Sequence, residues 1–295
     1  MSFAGDVKNE LCRIPLNRAC CTQAEAYGAL LCCNTFDGRE VRIVTEHAAF
    51  AQRLPVLFQK SFQTAFDRLP QGEGKQIFAL SDPNKLAAIH HAYGWDSRSL
   101  SLHVNFAVLE ESCCRAAFLR GAFLAGGSVT DPRKSYHLEL STSHLSVSRE
   151  MLVLMREMNL EPKLARRKGN AVIYLKQSER IENFLTAIGA PLAAMEFMNA
   201  KAERDLRGSV NRRVNCDAAN LDKVVEAAMA QTEAIRTLET RGQLTALPDK
   251  LREAAALRIA HPEDTLAQLA ERCDPPVTKS ALNHRLRKLV ELAQR

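Results

Sequence analysis

The sequence predicts an α+β fold built from a duplicated unit with pseudo-twofold symmetry, followed by an all-α domain that contains a helix-turn-helix. Three observations support this prediction. The segments 20–31 and 113–124 align without a gap. The patterns that follow these two segments recur in the same order, as in a duplicated unit rather than a periodic array. From residue 221 onward, the apolar residues fall at helical spacing only.

The two aligned segments predict a pair of closely packed helices. The second helix should cover about residues 114–125 and be closed by Gly126 and Gly127. One stripe of this helix consists of small residues four positions apart: Ala117, Gly121 and Ala125. Because small residues give up packing area and glycine lowers helix propensity, such a stripe indicates that a second backbone comes close. The first segment has matching small residues and is the expected partner.

Each of these helices is followed by the pattern strand, helix, strand, helix, which suits an α+β domain. In the first repeat, the strands are predicted at residues 39–45 and 76–80 and the helices at 51–69 and up to Gly94. In the second repeat, the strands are predicted at residues 135–142 and 171–175 and the helices at 148–159 and up to Gly189. An amphipathic helix is predicted at residues 2–13, and a further strand at 100–108.

The C-terminal part predicts a helix-turn-helix that spans Thr265 to Val290. Thr265 and Gln268 can form a capping box at the start of a short helix. Two prolines break this helix, and a last helix starts near Thr278 or Ser280. On a helical wheel the last helix has an apolar side, made of Leu282, Leu286, Leu289 and Ala293. Its other side is basic and polar, as in a recognition helix that enters the major groove.

Charge points to nucleic acid as the partner. The formal net charge is +6, and basic residues crowd three places: a predicted loop at residues 163–168, the segment 204–213 and the last helix. Arginine can bridge guanine, asparagine can bridge adenine, and lysines and hydroxyls can hold phosphates. The candidate DNA-binding residues are Thr278, Lys279, Ser280, Asn283, His284, Arg285, Arg287 and Lys288, with Arg212 and Arg213. A plain helical bundle with a solvated basic face is the alternative interpretation.

The chain has nine cysteines, three pairs of which are adjacent in sequence. An odd number argues against a disulfide framework. Neighbouring side chains on a helix diverge by about 100°, and no CxxC spacing of the kind that zinc sites favour occurs. Small buried structural cysteines are therefore preferred over a metal site, and neither metal nor cofactor is expected.

The N-terminal residues include Asp6, Lys8 and Glu10, which is not the composition of a signal peptide. No apolar run reaches the ~18 residues of a membrane span. A cytoplasmic protein that does not enter a membrane is expected.

The motif LRGAFLAGG, residues 119–127, resembles the helix motif of the LAGLIDADG homing endonucleases. In that family an acidic residue near the end of each paired helix holds the divalent metal for DNA cleavage. The corresponding positions here are Cys33 and Gly126, and neither is a hard oxygen ligand. Asp37 and Asp131 lie further along, in predicted loops. The resemblance therefore implies the endonuclease architecture without its catalysis.

The degenerate double repeat, the segment NRRVNCDAAN and the final PPVTKSALNHRLRKL together resemble the WhiA proteins along the whole chain. The expected division is a first repeat at residues 1–110, a second at 111–200, an arginine-rich linker at 201–220 and a DNA-binding domain at 221–295. The resemblance implies a regulator of Gram-positive bacteria with a C-terminal domain similar to sigma factor region 4. It implies a nucleoid-associated protein that acts in sporulation septation, cell division or chromosome segregation.

Three functions remain open at this level. The first is a non-catalytic, sequence-specific regulator that binds double-stranded promoter or operator DNA. The second is an active nuclease, which would need Asp37 or Asp131 to replace the missing acids. The third is an adaptor that docks on RNA polymerase, a second regulator or the division machinery.

Overall fold

The computed structural model describes residues 2–70, 72, 74–95 and 101–294. The chain forms two compact units that divide between Asp205 and Leu206. The first unit is mixed α and β, and the second is entirely helical in its described residues. The predicted fold class is confirmed: a duplicated LAGLIDADG-like domain precedes a helical helix-turn-helix domain.

The first repeat follows a short N-terminal helix, α1 (Phe3–Cys12). Its elements are α2 (Ala19–Leu31), β1 (Thr35–Phe36), β2 (Val41–Thr45), α3 (Ala48–Phe62), β3 (Gln76–Leu80) and α4 (Pro83–Ala92). The three strands form one antiparallel sheet in the order β1-β2-β3.

The second repeat contains the same elements and one more strand. Its elements are α5 (Ser112–Gly126), β4 (Gly127–Val129), β5 (Leu138–Thr142), α6 (Leu145–Glu157), β6 (Lys163–Arg167), β7 (Asn170–Leu175) and α7 (Ser178–Ile188). The antiparallel sheet has the order β4-β5-β7-β6. The duplication extends to strand register, because Thr45 pairs with Gln76 and Thr142 pairs with Ala171.

Four local predictions were wrong. Residues 101–105 form no strand and Phe106–Leu109 is a 3-10 helix, while residue 100 lies outside the described residues. The basic segment 163–167 forms strand β6 rather than a loop, because all five of its residues pair with β7. Gly126 belongs to α5, and Gly127 is extended and starts β4, so the two glycines do not form a left-handed cap. The helix predicted at 51–69 ends at Phe62, since Gln63 is left-handed.

The close helix pair is confirmed by α2 and α5. A Cβ added at Gly28 would lie 1.9 Å from the carbonyl oxygen of Phe118, and one added at Gly121 would lie 1.9 Å from that of Glu25. Each helix therefore places a glycine against the backbone of the other. Because a real Cβ cannot approach a backbone atom so closely, these two positions require glycine.

A buried ion cluster ties the two repeats together. The Glu25 carboxylate is fully buried and accepts hydrogen bonds from the Nε atoms of Arg53 at 2.6 Å and Arg120 at 2.8 Å. Arg53 also donates to the carbonyls of Cys12 and Ile14, and Arg120 donates to the carbonyl of Ile188. The Glu25 carboxylate of α2 thus links α3 of the first repeat to α5 of the second repeat.

The second unit comprises the later part of α8 (Pro191–Thr240), a 3-10 turn at Leu244–Ala246, α9 (Asp249–Ala260), α10 (Leu266–Glu271) and α11 (Lys279–Ala293). The segment expected to link the domains, residues 201–220, is helical and almost entirely exposed. The proposed domain boundaries stay a prediction. Within the described part of the chain, no helix is long and apolar enough to span a membrane.

Candidate nucleic-acid interface

Helices α9, α10 and α11 form the framework of the interface. Thr265 and Gln268 make the predicted capping box at the start of α10: the Thr265 Oγ1 accepts from the Gln268 N–H, and the Gln268 side chain accepts from the Thr265 N–H at 2.8 Å. Thr278 caps α11, since its Oγ1 accepts from the N–H of Ala281 at 3.2 Å. Both helices therefore start where the sequence predicts.

The apolar side of α11 is buried. Leu282, Leu286 and Leu289 have no exposed surface, and Ala293 is 8% exposed. They belong to one core cluster with apolar residues of α8, α9, α10 and the turn after α10: Ala234, Ile235, Leu238, Ala254, Ala255, Leu269, Ala270 and Cys273. Burial of one side fixes the rotation of α11, so its opposite side faces solvent.

The solvent side of α11 carries most of the predicted DNA-binding residues. Five are exposed: Thr278, Lys279, Ser280, His284 and Arg287. Asn283 and Lys288 are partly buried, and Lys288 forms an ion pair with Glu291 at 3.3 Å. Arg212 and Arg213 are exposed on a different helix, α8. The structure thus groups the α11 residues on one face, whereas the two α8 arginines belong to a separate element.

Arg285 has a structural contact that the sequence did not reveal. Its Nη1 lies 3.1 Å from Glu253 of α9, and its side chain is only 16% exposed. Glu253 also accepts from the N–H of Asp274, in the turn between α10 and α11. Arg285 therefore positions the turn and α11 against α9, and the exposed His284 and Arg287 are better placed to reach a groove.

A second arginine organises the same unit from inside. Arg258 of α9 is 2% exposed, and its Nε donates to the Gln231 Oε1 at 3.0 Å. Its Nη1 donates to the carbonyl of Asp264 at 2.8 Å, just before the capping box. Burial lowers the pKa of Arg258. Arg258 lies on the same side of α9 as the buried Ala254 and Ala255. A basic residue on an apolar side of a helix could have indicated this role from the sequence, but it was not predicted.

The outer face of the second sheet offers a smaller basic surface. Tyr174 of β7 is paired in register with Lys163 of β6 on one side and with Glu139 of β5 on the other. The three residues therefore lie side by side across the sheet. Arg167 of the same strand is exposed but lies 3.2 Å from the Glu139 carboxylate. This partial neutralisation makes the sheet a weaker anion-binding surface than α11.

Gly126 and Cys33, the positions that correspond to the catalytic acids of the endonucleases, cannot supply a metal ligand. A Cβ at Gly126 would lie 2.5 Å from the carbonyl oxygen of Ser141, so no side chain fits there. The Cys33 thiol is buried and donates to the carbonyl of Thr35 at 3.1 Å. Burial raises the pKa of Cys33 to about 12, so it stays protonated at neutral pH.

The loop carboxylates serve the chain itself. Asp37 accepts from the N–H groups of Arg39 and Glu40 at 2.7 and 2.9 Å. Asp131 accepts from the N–H of Arg133 at 2.9 Å. Both are turn residues, which leaves neither arranged as half of a two-carboxylate metal site.

The ammonium group of Lys8 lies at the C-terminal end of α5, where the endonuclease resemblance would place a metal. The Lys8 Nζ donates to the carbonyl oxygen of Leu124 at 3.1 Å. Lys8 lines a cavity of about 460 Å³ together with Ala125, Gly127 and Glu46. Among the described residues that line this cavity, Glu46 is the one carboxylate. A lysine ammonium with one carboxylate disfavours a divalent metal.

These features define a class of protein: a duplicated LAGLIDADG-like domain without paired catalytic acids, joined to a helix-turn-helix domain. Residues 115–207 match the family model of the WhiA LAGLIDADG-like domain, and residues 210–293 match that of the WhiA C-terminal HTH domain.

Whole-chain relatives make the assignment specific. The chain is 39% identical to the probable cell division protein WhiA of Ruminiclostridium cellulolyticum, across 100% of this chain and 98% of the relative. It is 38% identical to the protein of the same name from Brevibacillus brevis, across 100% and 97%. The chain belongs to the WhiA family.

Solved structures agree on the fold. The full-length DUF199/WhiA crystal structure from Thermotoga maritima matches with a TM-score of 0.61 at 24% identity, covering 100% of this chain and 99% of that one. The N-terminal LAGLIDADG domain of DUF199/WhiA matches with a TM-score of 0.50 at 21% identity, covering 64% and 92%.

Proposed function

We propose that this protein is a sequence-specific DNA-binding regulator without nuclease activity, and that α11 is its recognition helix. The observation that carries the proposal is the solvent face of α11, where Lys279, Ser280, His284 and Arg287 are exposed while the opposite side is locked into the core. A helix held in this way can enter the major groove without rearrangement.

The chemistry of this face suits DNA. The N-terminal turn of α11 presents backbone N–H groups, the Lys279 ammonium and the Ser280 hydroxyl, which favour phosphate. One and two turns further, Asn283, His284 and Arg287 offer donors and acceptors for base edges. Phosphate contacts would set the register, and the amide and guanidinium groups would supply discrimination.

The absence of catalysis rests on the closed ends of the paired helices. Gly126 has no room for a carboxylate, Cys33 is protonated and buried, and Lys8 supplies a positive charge nearby. Incubation of supercoiled plasmid with the protein and Mg²⁺ or Mn²⁺ is expected to leave the plasmid uncut. Cutting that is lost in an Asp37→Asn or Asp131→Asn variant would contradict the proposal.

The biological role follows from the relatives, two of which carry the name probable cell division protein WhiA. We infer that this chain controls transcription in sporulation septation, or acts in cell division and chromosome segregation, or both. A nucleoid-associated protein is implied. Crosslinking the chain to the chromosome and sequencing the bound fragments would test this role; enrichment no greater than in a mock sample would contradict it.

The direct test of DNA binding compares two charge-matched variants. Arg287→Ala removes an exposed arginine of α11, and Arg252→Ala removes an exposed arginine of α9 that has only a surface ion pair with Asp249. In gel-shift titrations against genomic fragments, Arg287→Ala should weaken specific binding by about 1–3 kcal/mol. Arg252→Ala should preserve the fragment preference.

An adaptor role is the second candidate, and a groove on the helical unit favours it. The groove has a volume of about 630 Å³ and is lined by Leu221, Val224, Val225 and Met229 of α8, all exposed, and by residues 262–265. An exposed apolar groove of this kind suits a protein partner such as RNA polymerase or a second regulator. Unchanged DNA binding by Arg287→Ala would favour this alternative.

A further inference from the structure

Four cysteines meet at one end of the paired helices. Cys20 and Cys21 lie in the first turn of α2, and Cys113 and Cys114 lie in the first turn of α5. The four Sγ atoms all lie within 4.8 Å of one another. The Sγ atoms of Cys20 and Cys21 are 3.9 Å apart, and those of Cys113 and Cys114 are 4.0 Å apart. The sulfurs form a compact group on the pseudo-twofold axis.

The sequence prediction of no metal site considered the cysteines of one helix at a time. Neighbouring cysteines on one helix do diverge, but the second repeat supplies a matching pair that faces the first. The Sγ atoms of Cys20 and Cys21 lie within 4.8 Å of those of Cys113 and Cys114, so each divergent pair faces the pair of the other helix. The two cysteine pairs align without a gap in the sequence. This alignment indicates a four-cysteine group only when the close packing of α2 and α5 is known.

The spacing fits a single ion. Thiolates bound to one tetrahedral Zn²⁺ at about 2.3 Å lie about 3.8 Å from one another. The two distances within the pairs are already close to this value, and the remaining distances need small side-chain movements. Iron–sulfur clusters hold their cysteines on several irons, which requires a wider group of sulfurs.

Burial opposes thiolates at two of the four positions in the metal-free chain, since it raises the pKa of Cys21 to about 11 and that of Cys114 to about 12. Two features of the surroundings would offset the negative charge of metal-bound sulfur. Both cysteine pairs lie at helix N-termini, where backbone N–H groups and the helix dipole stabilise anions. The Arg18 guanidinium, immediately before α2, is close enough to Cys113, Cys21 and Cys20 to offset the charge of thiolates at these positions. The site is accessible from solvent, since Cys20 is exposed, whereas Cys114 is buried. Small buried structural cysteines would not explain an exposed member of the group.

We propose that Cys20, Cys21, Cys113 and Cys114 bind one Zn²⁺ ion, which clamps the N-terminal ends of α2 and α5. Four Zn–S bonds form, each thiol gives its proton to solvent, and neither metal nor sulfur changes oxidation state. The product carries two negative charges, which the helix N-termini and Arg18 partly offset. The ion lies at the opposite end of the helix pair from the vanished endonuclease site, so it has a structural role in joining the repeats.

Cobalt substitution tests the proposal directly. The reduced full-length protein is titrated with Co²⁺ under anaerobic conditions, and the sulfur-to-cobalt charge-transfer band and the visible d–d bands are recorded. Intense tetrahedral d–d bands that saturate at about one Co²⁺ per chain, and that disappear when Zn²⁺ is added, are expected. Elemental analysis of the protein as purified should find zinc at the same stoichiometry.

Variants assign the signal to these four residues. Cys20→Ser changes an exposed residue and should lower the Co²⁺ affinity at least tenfold without unfolding the chain. Cys113→Ser/Cys114→Ser should abolish the spectrum. The control is Cys12→Ser/Cys216→Ser, which removes two thiols elsewhere and should retain it. Circular dichroism shows whether each variant is folded.

Three results would overturn the proposal. The first is a folded, reduced protein that gives no cobalt spectrum. The second is a spectrum that survives in the folded Cys20→Ser variant with unchanged affinity. The third is titration of free thiols showing that Zn²⁺ protects none of the four cysteines while mild oxidant joins them into disulfides between the helices.

Discussion

The two units use helices in opposite ways. In the first unit, α2 and α5 are packed so closely that glycine is required at Gly28 and Gly121. At the C-terminal ends of this pair, Cys33 and Gly126 stand where the endonucleases carry acids. In the second unit, α11 buries three leucines and turns a polar, basic face to solvent. The paired helices of the first unit are therefore packed as a scaffold, whereas the polar and basic groups available for recognition lie on the helical unit.

The largest effect should come from the buried ion cluster of the first unit. Glu25→Ala leaves Arg53 and Arg120 charged and buried without their carboxylate, which should lower the free energy of unfolding by about 3–5 kcal/mol. Glu110→Ala, at an exposed position, should change it by less than about 0.5 kcal/mol. Urea denaturation of both variants measures the difference. Equal stabilities would mean that the cluster does not tie the repeats together.

The glycine contrast tests the scaffold next. Gly121→Ala places a Cβ against the Glu25 carbonyl and should cost about 3 kcal/mol by forcing α2 and α5 apart. Gly208→Ala lies on the exposed part of α8, where a Cβ meets only the end of the Arg212 side chain at 3.4 Å. That change should stabilise the helix by about 0.5–1 kcal/mol. The two substitutions should therefore shift the melting temperature in opposite directions. If both variants were destabilised, Gly208 would not lie at an open position.

The pH dependence of the scaffold should depend on Lys8. Burial lowers the pKa of Lys8 from 10.5 to about 8 in the folded chain. Between these two values the unfolded chain binds more protons than the folded chain, so stability should rise as pH increases through this window. Lys8→Met should flatten that rise. Identical pH profiles of the denaturation midpoint for both proteins would show that Lys8 does not cause it.

The smallest effect separates the two basic surfaces that are candidates for DNA contact. Lys163→Ala on the outer sheet should reduce DNA affinity equally for all sequences and lower the salt slope by about one, as expected for a phosphate contact. His284→Ala on α11 should instead reduce the preference among fragments. Gel shifts at two salt concentrations distinguish these outcomes, and a change in fragment preference caused by Lys163→Ala would move base recognition to the first unit.

Features set by neighbouring residues were predictable from sequence. The capping box at Thr265, the apolar side of α11 and the small-residue stripe at Gly121 depend on spacing within one helix, and the structure has all three. Features set by distant partners were not. Strand β6 is charged and lies at a sheet edge, so only its pairing with β7 identifies it.

The candidate site shows the same division. The sequence selects the residues of α11 and the face they share, because helical periodicity fixes both. It does not reveal that Arg285 pairs with Glu253, since the two residues are far apart in the chain. The four cysteines come together only through the packing of α2 against α5, which the sequence alone does not show. Glu25 and Arg258 are ordinary charged residues in the sequence, and only their hydrogen-bond partners Arg53 and Gln231 explain why they are buried.

Base-specific protection of bound DNA shows whether α11 reads the major groove. Methylation of guanine N7 in the major groove is measured on a bound genomic fragment with the unaltered chain, Arg287→Ala and Arg252→Ala. We expect protected guanines with the unaltered chain and with Arg252→Ala, and loss of at least one protection with Arg287→Ala. The same protection pattern for all three proteins would contradict recognition by Arg287 of α11.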